Sequence, residues 1–325
     1  MAISRFKTSS VAQGLPKYQK FWDQSTMYYT TAGTTWTAKT LPASGSYFMP
    51  VLGGASNNIW MVSAGTAIAT STDNGSTWTA RTKNLSGTSI AYGASKWVSC
   101  TYTTNTSCVE YSSNDGVTWT TGTMPNAWNW DSLLFAQGRF IALAYGDYRC
   151  ATSTDGVTWT TLSMPVQTNN RRSSITYSAG LGMWIATSRD ASCFDSSPDG
   201  LTWTARTGPS IGDWYATASN SGIFVAGKYN TTSYATSTDG TTWTGRTFAV
   251  TLGSTAGAEA QFGTMAMNAF PPSSNIYTST NGTTWTARTL PSSQSWNQPS
   301  KNQQTTSNVM MVQASGTNTI AVSLY

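Results

Sequence analysis

Apolar and polar positions alternate in short runs along most of this chain. The stretch from residue 89 to 120 is typical. Ser89-Ile90-Ala91-Tyr92, Lys96-Trp97-Val98-Ser99-Cys100 and Cys108-Val109-Glu110-Tyr111 each read as a short half-buried strand, and Thr118-Trp119-Thr120 opens a fourth. The second of these runs recurs as Ile59-Trp60-Met61-Val62, Arg139-Phe140-Ile141-Ala142, Met183-Trp184-Ile185, Ile223-Phe224-Val225 and Val309-Met310-Met311-Val312. It is weakest at Gly263-Thr264-Met265-Ala266.

The runs belong to a repeat. A polar turn closing on Gly-x-Thr-Trp is written seven times, at Trp36, Trp78, Trp119, Trp159, Trp203, Trp243 and Trp285, with spacings of 42, 41, 40, 44, 40 and 42 residues. A period near 40 marks one supersecondary unit copied along the chain, and such a unit buries its apolar face only against its neighbours. Four antiparallel strands per unit is the blade of a β-propeller. The expected fold is all-β: a seven-bladed β-propeller of four-stranded antiparallel blades over residues 25–325, preceded by an extended N-terminal arm, 1–24. Both chain ends supply strands to the last blade, which removes an open sheet edge. Tyr28-Tyr29 and Ala321-Val322 compete for one strand place in it.

Longer copies of the turn are Ser71 to Trp78, Ser112 to Trp119 and Ser196 to Trp203; shorter ones are Ser153 to Trp159, Ser237 to Trp243 and Ser279 to Trp285. Asp or Asn in the turn accepts hydrogen bonds from nearby amides, and glycine takes a positive φ at no steric cost. The tryptophan then buries against the neighbouring sheet, contributing about 2–3 kcal/mol. The turn resembles the Asp-box, S-x-D-x-G-x-x-W, of sialidase-type and related propellers. That resemblance assigns Asp73, Trp78, Trp119, Asp155, Trp159, Trp203, Asp239, Trp243 and Trp285 a structural role. It carries little functional information, because the same turn serves glycosidases, lectin-like modules and structural proteins.

Composition narrows the chemistry. Charged residues make up 10% of the chain and the formal net charge is +5. Lys39, Arg81, Arg206, Arg246 and Arg288 each follow a motif tryptophan by three residues, which points to a structural use of that charge. No dense basic run supports nucleic-acid binding. The chain has no histidine, which removes the usual general base and the commonest metal ligand. Cys100, Cys108, Cys150 and Cys193 lack zinc-ligand spacing and read as small buried apolar residues, a Cys100–Cys108 bridge remaining open. No cofactor and no metal are expected. The opening lacks a secretory apolar core and no run is long enough to span a membrane, so no membrane insertion is expected.

Sialidases of the resembled family use an arginine cluster, a tyrosine–glutamate pair and an aspartate acid/base. Here only Glu110 and Glu259 are glutamates, and no Arg-Ile-Pro motif occurs; the expectation is that the chain is not an enzyme. Aromatics recur eleven residues after the motif tryptophan, at Tyr47, Trp130, Trp214 and Trp296, with Trp128, Asp131 and Asp213 beside them. They either stack on sugar rings or pack as innermost strands. Arg171 and Arg172, read as part of an inter-blade loop, are candidates for an anionic sugar or a protein neighbour. The arm carries Arg5, Phe6, Lys7, Leu15, Tyr18, Phe21 and Trp22 as docking residues, and residues 1–23 resemble the N-terminal segments of bacteriophage virion proteins. The resemblance implies a tail-associated or receptor-facing virion protein, assembled in the host cytoplasm and anchored to other virion proteins through the arm. A host-surface glycan is a second expected partner. The alternatives are a free lectin and, behind it, a sialidase-like glycosidase.

Overall fold

The computed structural model describes residues 37–324, apart from 46–49, 57, 88, 146–147, 166–170, 190–191, 220–221, 253–257, 262–263, 269–272, 295, 300, 303–308 and 315–316. The expected docking arm, Tyr28, Tyr29, Trp36 and Tyr47 lie outside these residues. Every regular element among them is a β-strand.

The strand pattern of residues 89–120 is realised as Ser89–Gly93, Lys96–Cys100, Val109–Ser112 and Thr120–Gly122, paired antiparallel in chain order. The same meander runs through Trp130–Ala136, Arg139–Ala144, Arg149–Ser153 and Thr160–Ser163. It recurs in the sheets that end on Thr79–Thr82, Thr204–Thr207, Thr244–Thr247 and Thr286–Gln294. Each sheet is named below by the motif tryptophan that precedes its outermost strand. Among the described residues the strands form seven sheets, six of four strands and one of five. The innermost strand of each sheet contacts that of the next, from Val51–Gly53 through Ser89–Gly93, Trp130–Ala136, Arg171–Ser178, Trp214–Ser219 and Ala258–Gln261 to Trp296–Pro299.

The cycle is shut by the chain ends. Thr37–Gly45 pairs antiparallel with Thr317–Leu324, Thr37 facing Val322 and Lys39 facing Ile320. Val309–Ala314 and Trp296–Pro299 complete this closing sheet. Ala321 and Val322 therefore hold the contested strand place. Lys301–Asn302 crosses to the Trp78 sheet as a fifth strand, parallel to Val51–Gly53.

The middle strands are not half-buried, as their alternation suggested. Ile59–Ala64 and Cys193–Ser197 are buried on both faces, whereas outermost strands are mostly exposed, Thr244–Thr247 throughout. Each sheet is sandwiched between two others, so the polar half of the alternation also goes inside. Small hydroxyl residues fill it: Ser99, Thr176, Ser196 and Thr236 are all buried. The motif tryptophans are the wedges. Trp159 packs with Val98 and Val109 of the preceding sheet and Phe140 of its own. Trp119, Trp203 and Trp243 do the same with Met61, Ile141 and Ile185. Trp78 and Trp285, half-buried, lie against Val322 and Val225.

Candidate functional site

The repeated turns come first, because they set one end of every sheet. Ser153 Oγ accepts from the Gly156 amide at 2.8 Å and donates to Asp155 Oδ1 at 2.9 Å; Asp155 Oδ1 also accepts from the Val157 and Thr158 amides at 2.8 and 2.7 Å. The Trp159 indole then donates to Gly156 O at 3.3 Å. Asp73, Asp199 and Asp239 accept from turn amides in the same way, and Asn114 and Asn281 do so without a charge; the indole bond recurs at Trp78 and Trp119, whereas the buried indole N–H groups of Trp203, Trp243 and Trp285 have no hydrogen-bond partner. In the Trp203 copy the serine is Ser197, not Ser196: Ser197 Oγ donates to Asp199 at 3.0 Å, while Ser196 lies in the strand. That copy is therefore of the shorter form. Gly156 has φ +73°, and a Cβ there would stand 2.6 Å from Val98 Cγ2 of the preceding sheet. Only glycine satisfies both conditions.

These bonds hold the carboxyls in their charged form. A hydroxyl and an amide bond from Thr77 bring Asp73 down to about 2. Burial works against the charge of Asp155, yet amides of Thr158 and Val157 outweigh it, and the value again falls to about 2. The basic residues three positions after the tryptophans prove structural. Arg81, Arg206, Arg246 and Arg288 each donate through Nε to a hydroxyl on the adjacent third strand, Thr70, Ser196, Thr236 and Thr278, at 2.7–3.1 Å.

One seam between sheets departs from the repeat. Lys83 and Glu110 form an ion pair at 3.1 Å with both side chains fully buried. Lys83 Nζ also donates to Leu85 O at 2.6 Å, and the Glu110 carboxylate accepts from the amides of Asn84 and Leu85. Burial lowers the Lys83 pKa, and the Glu110 charge opposes that shift. Sequence reasoning treated Glu110 as an ordinary strand residue and passed over Lys83. The four cysteines are buried thiols, and Cys100 and Cys108 form no disulfide. Burial pushes the Cys100 thiol up strongly and the Cys108 thiol to about 11.

The opposite end of the sheets carries the connections between second and third strands and between successive sheets. Trp130 and Trp214 are there, but fully buried. Each opens an innermost strand and donates its indole N–H to the carbonyl four residues earlier, Asn126 at 3.3 Å and Ser210 at 3.0 Å. They offer no ring face to a sugar, which corrects their assignment as ligand residues. Trp296 also begins an innermost strand, opposite Ala314. Arg171 and Arg172 are not in a loop: they start the strand Arg171–Ser178 and pair with Arg189 and Ser188. Asp213 is half-buried and its carbonyl accepts from the Tyr229 amide at 2.8 Å.

Trp128 is brought together with residues that sequence reasoning missed. Arg149 places its guanidinium carbon 4.3 Å from the centre of the half-buried Trp128 ring and 5.0 Å from that of Tyr148. Tyr145 is anchored by its amide to Asn129 O at 2.7 Å and meets Tyr102 of the neighbouring sheet edge-on at 5.2 Å. Tyr102 is 50% exposed. Asp131 is the extra residue of a β-bulge: Trp130 faces Ala144 and Ser132 faces Leu143. Bulges of this kind re-aim side chains at the rims of sheets. Aromatic rings, an arginine and a carboxylate at one rim suit a polar, ring-shaped ligand. Among the described residues no group of three or more His, Cys, Asp and Glu side chains could hold a metal.

No protein-family model matches the chain, and no curated protein matches it by sequence. Solved structures do match. Virginiamycin B lyase from Staphylococcus aureus aligns with a TM-score of 0.72 at 10% identity, over 90% of this chain and 99% of that one. YCF48 from Cyanidioschyzon merolae aligns at 0.66 and 12%, over 90% and 98%. The Pan2 WD40 domain of Neurospora crassa aligns at 0.68 and 8%, over 90% and 96%. The lyase overturns the expectation of no enzymatic activity, because the same architecture is an enzyme there; at such identity the likeness extends to the fold alone. By its ring of antiparallel sheets and by these neighbours, the chain is a β-propeller.

Proposed function

We propose that this chain is a display propeller of a bacteriophage particle: seven blades of the Asp-box type, anchored to other virion proteins through residues 1–24 and facing outward with its loop rim. The observation that carries the reading is the closing sheet. Thr37–Gly45 is an outermost strand, so Thr37 stands at the perimeter of the ring and not at its centre. The opening sequence, with Arg5, Lys7, Lys17 and Lys20 among scattered apolar residues, suits docking against another protein. The partners in this reading are virion proteins, with neither nucleic acid nor a membrane involved. The test is deletion of residues 1–24 in a phage carrying the gene. The truncated protein is expected to fold and to be missing from purified particles; its normal incorporation would refute the anchoring.

A second reading, glycan binding at the loop rim, is favoured by Trp128, Arg149, Tyr148, Tyr145 and Tyr102 lying at one edge. It applies equally to a free lectin. Binding of the purified protein to a broad glycan array tests it, and a blank array would refute it.

A further inference from the structure

We propose that Asn74 is a self-modification site: it loses its side-chain amide as ammonia, and the aspartate formed at position 74 accepts a hydrogen bond from the buried indole of Trp60. Three second strands carry a tryptophan opposite the turn serine: Trp60 faces Ser71, Trp97 faces Ser112 and Trp184 faces Ser197. Trp97 donates its indole N–H to Asp115 Oδ1 at 3.3 Å, and Trp184 donates to Gln137 Oε1 at 2.7 Å. The Trp60 N–H is fully buried and has no partner. The turns beside Trp60 and Trp97 are both of the longer form and follow one backbone course. In them φ is +57° at both Asn74 and Asp115, then +80° at Gly75 and +79° at Gly116. Position 74 therefore stands to Trp60 as position 115 stands to Trp97. Asn74 is exposed, and among the described residues its side chain makes no hydrogen bond. An amide offers an acceptor on one side and a donor on the other, whereas a carboxylate accepts at both oxygens and adds its charge to the bond.

The residue after Asn74 is Gly75. With no Cβ, glycine hinders least the approach of its backbone nitrogen to the preceding side chain. Gly75 N attacks Asn74 Cγ, the Cγ–Nδ2 bond breaks, and Nδ2 leaves as ammonia from a succinimide ring. Solvent water then opens the ring at Cγ, which restores the Gly75 amide and leaves a carboxyl. The sum is amide plus water to carboxylate plus ammonium, with no oxidant or cofactor. The turn also supplies a base. Gly75 N–H donates to Ser71 Oγ at 2.8 Å, and Ser71 Oγ donates to Asp73 Oδ1 at 2.8 Å, so the amide proton has a path to a carboxylate. The other Asn-Gly of the chain, Asn281-Gly282, is a built-in control. There the Gly282 amide also donates to its serine, Ser279, at 2.8 Å, but that hydroxyl runs on to the neutral Oδ1 of Asn281 itself at 3.1 Å. The amides of Thr283 and Thr284 hold the same oxygen at 2.9 and 2.8 Å. Asn281 is thus fixed in its turn with no base on the path, while Asn74 is unheld and has one.

The experiment is incubation of the purified full chain in mildly alkaline buffer, followed by peptide mass mapping. Position 74 is expected to gain about 1 Da as the amide becomes an acid, and to do so about tenfold faster than position 281. Asp73→Asn reproduces the uncharged turn built on Asn114 and is expected to slow conversion at position 74 about tenfold. Asn74→Asp supplies the product directly. Its thermal midpoint is expected to rise by about 2 °C, and the Trp60 indole proton resonance to move downfield toward that of Trp97. No conversion at position 74, or conversion at position 281 as fast as at 74, overturns the site. Undiminished conversion in Asp73→Asn overturns the relay. An unchanged midpoint or an unmoved Trp60 resonance in Asn74→Asp overturns the pairing.

Discussion

The buried Lys83–Glu110 pair yields the sharpest quantitative test, because the protein carries its own control. Five residues after the motif tryptophan, five of the other six repeats place Leu41, Met124, Met164, Phe248 and Leu290, all buried, and the Trp203 repeat has Gly208. Where Glu110 stands, two residues before the turn serine, three repeats carry Ala69, Ala151 and Ala235, and the other two carry Asp195 and Tyr277. One seam along, Met124 and Ala151 share a hydrophobic cluster. Lys83→Met leaves a carboxylate in a fully buried site, and Glu110→Ala leaves the ammonium with Leu85 O as its remaining partner. Breaking a buried pair from one side costs about 3–5 kcal/mol, whereas replacing both partners by apolar groups is close to neutral. Each single variant should therefore lower the thermal midpoint by about 6–10 °C, at about 2 °C per kcal/mol for a chain of this length. The double variant rebuilds the Met124–Ala151 arrangement. Its residual cost comes from the amides of Asn84 and Leu85, which lose the Glu110 oxygens; Asn84 is exposed, so water replaces part of that loss. In four of those five repeats the residue after the apolar plug is Pro42, Pro125, Pro165 or Pro291, which has no N–H to satisfy. The double variant should lie within about 2 kcal/mol of the native protein. Thermal and denaturant unfolding of the three variants measure this. A double variant as unstable as the sum of the singles, or single variants that cost nothing, would refute the idea that this seam pairs its charges in place of apolar packing.

The carboxyls of Asp73 and Asp155 sit below their usual value, so their contribution to stability is complete above about pH 4 and fades as pH falls through about 2; acid titration monitored by tryptophan fluorescence should show loosening in that window and none between pH 5 and 8. Asp155→Asn copies the uncharged turns at Asn114 and Asn281, so it should cost under about 1 kcal/mol at pH 7 and shrink the acid response, while Asp155→Ala should cost about 1–2 kcal/mol in denaturant unfolding. Gly156→Ala combines a left-handed φ with a clash against Val98 and should lower stability by more than about 1 kcal/mol; a neutral result would mean the turn shifts freely. The four buried thiols should resist a thiol reagent until the protein is unfolded.

Much of the fold was legible because it is local. Ser, Asp or Asn, Gly and Trp interact within eight residues of one another, and the arginine three positions on reaches only the adjacent strand, so one window of sequence contains each device. Of the two readings open for Trp130 and Trp214, packing in innermost strands holds and sugar stacking does not. A feature shared among repeats is what the scaffold itself requires, and both rings are buried. Arg149 and Lys83 were overlooked because their partners, Trp128 and Glu110, lie 21 and 27 residues away, across a loop or a seam. A signal for them was present: each occupies a position that other repeats fill with a residue of different chemistry. The two-sided burial of the middle strands was hidden because serine and threonine read as solvent-facing, although small hydroxyls fit inside when a sheet is stacked on both sides.

The pairing of Thr37–Gly45 with Thr317–Leu324 sets the order of events during synthesis. Thr37–Gly45 is synthesised long before its partner strand, and Gly75 rests on Met311 and Val322 of the same late segment. Until Thr317–Leu324 has been made, the nascent ring is a crescent with two bare flanks, and that strand locks it.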